Sequence, residues 1–174
     1  MKRIRNRKLT EHFSLYEAAR TRQKKWIQFN REYVLTKIEK TLLTLNLLEH
    51  SRLAIKFPIF LSSLGRCIGL NKYIGGVNSS QHVECEAGDW TPLNKSNKHS
   101  VLHACDEVAK RFKKDNVMFG QLIFEERETS LGTKYWIHQS LGYPLRPLYK
   151  CRQVASITNG KFELAYQMTL KPWK

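Results

Sequence analysis

Val117-Met118-Phe119-Gly120-Gln121-Leu122-Ile123-Phe124-Glu125 opens a series of strand-like runs that crowd the last third of the chain, and it decides the fold class. Tyr135 to Ser140 and Cys151 to Thr158 continue the series. The hairpin signal Thr158-Asn159-Gly160-Lys161 then turns the chain into a returning strand, Phe162 to Met168. Upstream the pattern is helical. Over about residues 99–113, Val101, Cys105, Val108, Ala109 and Phe112 fall on one side. Further back, Ser14-Leu15-Tyr16-Glu17 has capping-box spacing and predicts a short helix over about 14–23. Asn30 starts a longer helix to about residue 50, with Val34, Ile38, Leu42, Leu45 and Leu48 as its core stripe. Phe57 to Leu61 reads as a buried strand. Helices first and strands afterwards give an α+β domain, with N-terminal helices packed on a small antiparallel sheet. Residues 1–8 read as a solvated basic tail and 9–174 as a single domain, without internal repeats or a dividing linker.

The 174 residues include 41% hydrophobic and 11% aromatic side chains, a composition that folds around a core. Thirty Lys and Arg against fifteen Asp and Glu leave a net charge of +15, which excludes an acidic calcium buffer. The excess points to a polyanionic partner: nucleic acid, a membrane surface or a bacterial wall. No run approaches the roughly 18 apolar residues of a membrane span. The basic start, Met1 to Lys8, lacks the apolar run of a secretory signal, so synthesis without an export signal is expected. Cys67, Cys85, Cys105 and Cys151 are accordingly expected as free or metal-associated thiols, and no C-x-x-C pair suggests a zinc ribbon.

Residues 62–98 hold five of the nine glycines with many Ser and Asn, and a long loop-rich segment of this kind is usually functional. It contains Ser80-Gln81-His82 and, seven positions after His82, Asp89; His138 lies in the strand Tyr135-Trp136-Ile137-His138. Two imidazoles and a carboxylate suit zinc and leave a fourth position open, as hydrolysis requires. Spacing alone also allows ordinary surface or core histidines and a turn aspartate before Trp90. Trp90 and Trp136 flank these residues, as core aromatics or as shields of the site.

Ser80-Gln81-His82-Val83-Glu84-Cys85-Glu86-Ala87-Gly88-Asp89 resembles the S-x-H-x-x-G-x-A-x-D signature of zinc D-alanyl-D-alanine carboxypeptidases. That family also includes phage L-alanyl-D-glutamate endolysins and the vancomycin-resistance dipeptidases. Ser62-Ser63-Leu64-Gly65-Arg66-Cys67, Leu70-Asn71 and Gly75-Gly76 resemble its lead-in, and Gln121 to Glu125 with Trp136 to Ser140 resemble its strands. Phe13 to Glu17, and Arg152-Gln153-Val154 with Asn159-Gly160-Lys161, are similar to the small phage-type members, so the resemblance spans about residues 9–166. It implies a D-Ala-D-Ala carboxypeptidase or hedgehog-like fold, with His82, Asp89 and His138 as zinc ligands on the sheet. Arg66 would face a substrate carboxylate or carbonyl. Ser80 would hold substrate or make an ST-turn that orients His82. Cys85 stands where the family has glycine, and Tyr135 where several members have an acid. The implied general base is therefore Glu125, with Glu128 as the alternative, while strand alternation turns Glu126 to the opposite face.

The implied activity is a zinc peptidase acting on peptidoglycan, encoded by a phage or prophage. It would reside in the host cytoplasm or the virion, beside other virion proteins, and reach the wall on release or delivery. A wall-binding or virion structural protein of the same fold, impaired in catalysis, is the alternative. Sequence-specific nucleic-acid binding, suggested by charge alone, is a distant third because no recognition motif accompanies the charge.

Overall fold

A computed structural model describes residues 4–142, 151–158 and 161–169, with side chains over 4–142. Its helices are α1 (Leu15–Ala18), α2 (Ile27–Thr36, preceded by a 3-10 turn at Lys24–Trp26), α3 (Ile38–Ile55), α4 (Ile68–Tyr73) and α5 (Lys98–Lys114). The strands are β1 (Ile59–Ser63), β2 (Ala87–Pro92), β3 (Gln121–Arg127), β4 (Lys134–Ser140), β5 (Cys151–Thr158) and β6 (Lys161–Thr169). They form one sheet in the order β1-β2-β4-β3-β5-β6. This is the expected α+β class. Pairing is antiparallel for β3–β4 and β5–β6 but parallel for β3–β5, because the chain enters β5 in the direction of β3.

Contacts divide the chain into two units, Met1–Glu49 with Leu61–Asp89 and His50–Phe60 with Trp90–Lys174. In the first, Ser14 forms the expected capping box with Glu17, but α1 stops at Ala18, after four residues. Residues 4–8 lie along this turn, with residues 5–8 exposed to solvent. The Tyr16 hydroxyl donates to the Ile4 carbonyl (2.7 Å) and the Leu15 N–H to the Arg7 carbonyl (2.9 Å).

Asn30 was expected to begin a helix; it sits inside α2, fully buried, and holds three backbone segments together. Its Nδ2 donates to the carbonyls of Ala19 (3.0 Å) and Gly65 (2.8 Å), while its Oδ1 accepts the Cys67 N–H (2.7 Å). The helix expected to run unbroken from residue 30 to 50 is divided at Lys37, with a backbone φ of −118°. That break resets the phase of the stripe. Val34, Leu45 and Leu48 are buried as expected, yet Thr41 and Thr44 are buried with them. On the sheet, Gly88 of β2 receives Leu48 of α3, and a Cβ there would lie 3.0 Å from Leu48 Cδ1. Successive strand residues face opposite ways, so Asp89 points away from Leu48.

In the second unit, α5 packs on β3 and β4 and buries the whole expected stripe from Val101 to Phe112. The β3–β4 register pairs Ile123 with His138, Glu125 with Trp136 and Glu126 with Tyr135. Gln139 faces the helices: its Oε1 accepts from Ser51 Oγ of α3 (2.8 Å) and from Trp90 Nε1 (3.0 Å). Glu126 also faces them, 2.9 Å from Lys98 of α5. His138 and Glu125 therefore share the other face.

Removing the Asn30 bracket orphans a buried N–H and two carbonyls, so Asn30→Ala should lower stability by about 3 kcal/mol, read as a shifted midpoint in urea unfolding. Glu49 supplies a pH-dependent tie. Burial raises its pKa, but hydrogen bonds from Thr10 Oγ1, the His12 N–H and the His12 ring outweigh burial and hold it below the usual 4.5. The unfolded chain then binds more protons than the folded one in acid. The advantage of the wild type over Glu49→Gln should be complete above pH 4.5 and fade as the pH falls below it, in unfolding curves taken across that range.

Candidate metal centre

His82 sits in a run of turns over residues 81–85, between α4 and β2. The approach to it is tightly turned. Gly75 adopts φ +76°, and the Gly76 N–H donates to the Asn71 carbonyl (2.8 Å) while Asn71 Nδ2 donates to the Val77 carbonyl (2.9 Å). The Ser80 carbonyl then accepts the Val83 N–H (3.0 Å). The Ser80 hydroxyl makes no ST-turn hydrogen bond among the described residues.

The far side of the turn is held by α2 and α3. Tyr33 Oη donates to the Val83 carbonyl (2.8 Å) and Thr44 Oγ1 to the Cys85 carbonyl (2.8 Å). Lys37 and Lys40 pair with Glu84 (2.8 and 3.1 Å), and Lys40 with buried Glu86 (2.8 Å). The hydrogen bonds from Lys37 and Lys40 keep the Glu84 carboxyl below its usual range. Cys85, in the position of the signature glycine, has φ 56°, so the chain makes the glycine-type turn without glycine. A single left-handed non-glycine residue costs roughly 1–2 kcal/mol. The surrounding hydrogen bonds offset it.

The Cys85 thiol is fully buried and points at Gly65, where a Cβ would lie 2.8 Å from its Sγ. Burial pushes its pKa up to about 11, and the thiol packs as a small buried group against Gly65. Cys67, Cys85 and Cys105 are free and buried, and the side chain of Cys151 lies outside the described residues.

The carbonyl of Leu64 fixes the His82 ring. Its oxygen lies 2.8 Å from Nδ1, and a carbonyl only accepts, so Nδ1 carries a proton. In the neutral ring the lone pair is then on Nε2, the state a metal-ligating histidine needs. Nε2 faces Asp89 Oδ2 at 3.2 Å. Two acceptors held this close require a cation between them, a proton or a metal. A proton needs only these two. The structure brings a third donor, since His82, Asp89 and His138 each offer a ligand atom within 4.8 Å of the others. Tetrahedral zinc with bonds of ~2.0–2.1 Å sets its ligands about 3.3 Å apart, the spacing that His82 Nε2 and Asp89 Oδ2 have. His82 is buried while Asp89 and His138 are half-buried, which gives the group a wet side.

Arg66 lies beside this cluster. Its backbone N–H donates to the His82 carbonyl (2.9 Å), its Nε to Ser63 Oγ (2.9 Å) and its Nη2 to Asp89 Oδ2 (3.0 Å). Glu125 shares a sheet face with His138 and is diagonal to it across the β3–β4 pair, a Cα separation of roughly 7–8 Å. Trp90 is a core residue bonded to Gln139, whereas Trp136 is half-buried opposite Glu125. What sequence reasoning missed is the support: Asn30, Tyr33, Thr44, Lys37 and Lys40. Thr41 and Thr44 at helical spacing from Leu45 and Leu48 are the one signal that could have exposed it.

Cys85→Gly should stay within about 1 kcal/mol of wild type, because relief at positive φ offsets the lost buried thiol. Cys85→Val, β-branched in a left-handed site against Gly65, should lose about 2–3 kcal/mol. Thermal melts of the two variants compare them directly.

No curated protein matches the chain. The family model described as Peptidase M15 matches residues 12–120, which include Arg66, Ser80, His82, Cys85 and Asp89 and stop before Glu125 and His138. With well over half its length in that match and a His-Asp-His cluster able to hold a metal, the chain belongs to the peptidase M15 family.

Proposed function

We propose that this protein is a zinc metallopeptidase that hydrolyses peptide bonds of bacterial peptidoglycan, as a carboxypeptidase or endopeptidase. The observation that carries the proposal is the His82 ring, fixed through Nδ1 on the Leu64 carbonyl and facing Asp89 Oδ2 at 3.2 Å, in a cluster completed by His138. His82, Asp89 and His138 would hold the ion. Zinc bound there supplies a Lewis acid that polarises a carbonyl and lowers the pKa of water to about 7.

The chain's own groups do the rest. Glu125, on the face of His138, accepts the proton of the attacking water and passes it to the leaving amine. Arg66 orients the substrate: Nε and Nη2 are engaged by Ser63 and Asp89, and the Nη1 edge, without a partner among the described residues, serves a substrate carboxylate or carbonyl. The Ser80 hydroxyl, uncommitted among the described residues, lends a further contact. The +15 charge favours a polyanionic wall as the place of action. Resemblance to the small phage-type members extends the proposal to a phage or prophage enzyme that meets the wall on release or delivery.

Zinc content and release of stem peptides from isolated peptidoglycan test this in wild type, His138→Ala and Glu125→Gln. Wild type should hold about one zinc per chain and cleave. His138→Ala should lose both properties. Glu125→Gln should keep its zinc and lose about 10²–10⁴-fold in rate. Zinc retained by wild type without cleavage of any wall substrate would leave a metal-stabilised wall-binding or structural domain instead.

A further inference from the structure

In the second unit, a cavity of about 410 Å³ opens between the end of α3, the Pro92–Asn97 loop and the first turns of α5. This lies within the size range of small-ligand sites, about 300–1,000 Å³. Its walls divide by chemistry. Ile55, Phe57, Pro92 and Ala104 line an apolar side, and Lys56, Lys95, His99 and His103 the polar one.

Two tight turns put the lysines there. Lys56 ends α3 with φ 52°, and Asn94 takes φ 58° just before Lys95, whose N–H donates to the Pro92 carbonyl (3.1 Å). Lys95 Nζ rests 4.3 Å from the centre of the Phe57 ring. Among the described residues neither lysine has a carboxylate partner. The one acid on the wall, Glu107, is held by Lys110 at 3.0 Å. His99 and His103, one turn apart on α5, present parallel rings with centroids 6.4 Å apart. The first turn of α5 adds the positive end of a 17-residue helix.

Two ammonium groups without a carboxylate partner among the described residues, two imidazole donors and a neutralised acid, set against an apolar wall, form a receptor for an oxyanion on an apolar or extended body. A cation would meet Lys56 and Lys95. We propose that this cavity is a second binding site, separate from the metal centre, for a carboxylate or phosphate group of an anionic ligand. The inference stands independently of the peptidase reading.

The test is titration of the full chain with inorganic phosphate and, separately, glutarate, following the imidazole resonances by NMR at ionic strength matched with sodium chloride. Either anion should shift His99 and His103 saturably, with a dissociation constant of about 1–10 mM, and leave His12 unmoved. The double variant Lys56→Ala/Lys95→Ala, with an unchanged melting temperature to verify folding, should weaken binding at least ~10-fold. Tighter phosphate binding assigns the site to a phosphodiester polymer, and tighter glutarate binding to peptide carboxylates. The proposal is overturned if sodium chloride reproduces the shifts, if they persist in the double variant, or if zinc occupies His99 and His103 more tightly than either anion.

Discussion

The candidate centre depends on one costly piece of backbone, the left-handed Cys85 in the turn that carries His82. Nothing local favours that conformation in a cysteine. It persists because the turn is tied on several sides: Tyr33 and Thr44 hold the carbonyls of Val83 and Cys85, and Lys37 and Lys40 hold Glu84 and Glu86. A residue in a sparsely populated region survives only when its surroundings over-determine it. Here they come from the two helices that meet at Lys37.

The same economy appears on the other side of the turn. Asn30 ties the segment from Gly65 to Cys67, the Leu64 carbonyl sets the proton on His82, and the Arg66 N–H holds the His82 carbonyl. Orientation of a ligand by the partner of its other nitrogen is a usual property of metal-binding histidines. A backbone carbonyl does this without adding charge to a site that already contains Asp89 and Arg66.

The sheet sorts functions by face. Along β3 and β4, Glu126 and Gln139 meet helices, whereas Glu125 and His138 point the other way. Period-two alternation therefore separates two adjacent glutamates into a partner of Lys98 and a candidate base. In β2, Gly88 admits Leu48 on the helix side and leaves Asp89 on the opposite one.

Much of this was readable in the residues themselves. Periodicity located α5 and the strands from β3 onward, because a helix or strand with one buried face writes its period into the chain. Residue types drew attention to His82, Asp89 and His138, and the resemblance of the motifs around them implied a ligand set. Other features were not readable. The break at Lys37 was invisible because the apolar stripe continues through it; β2 and α4 were hidden in a segment whose glycines and serines read as loop. Asn30 looked like a helix start, since only packing could show that three backbone segments converge on its amide. Sequence determined which side chains were available for the chemistry. Tertiary structure decided which backbone carried them and which nitrogen of His82 holds the proton, because hydrogen bonds between distant segments exist only once those segments have met.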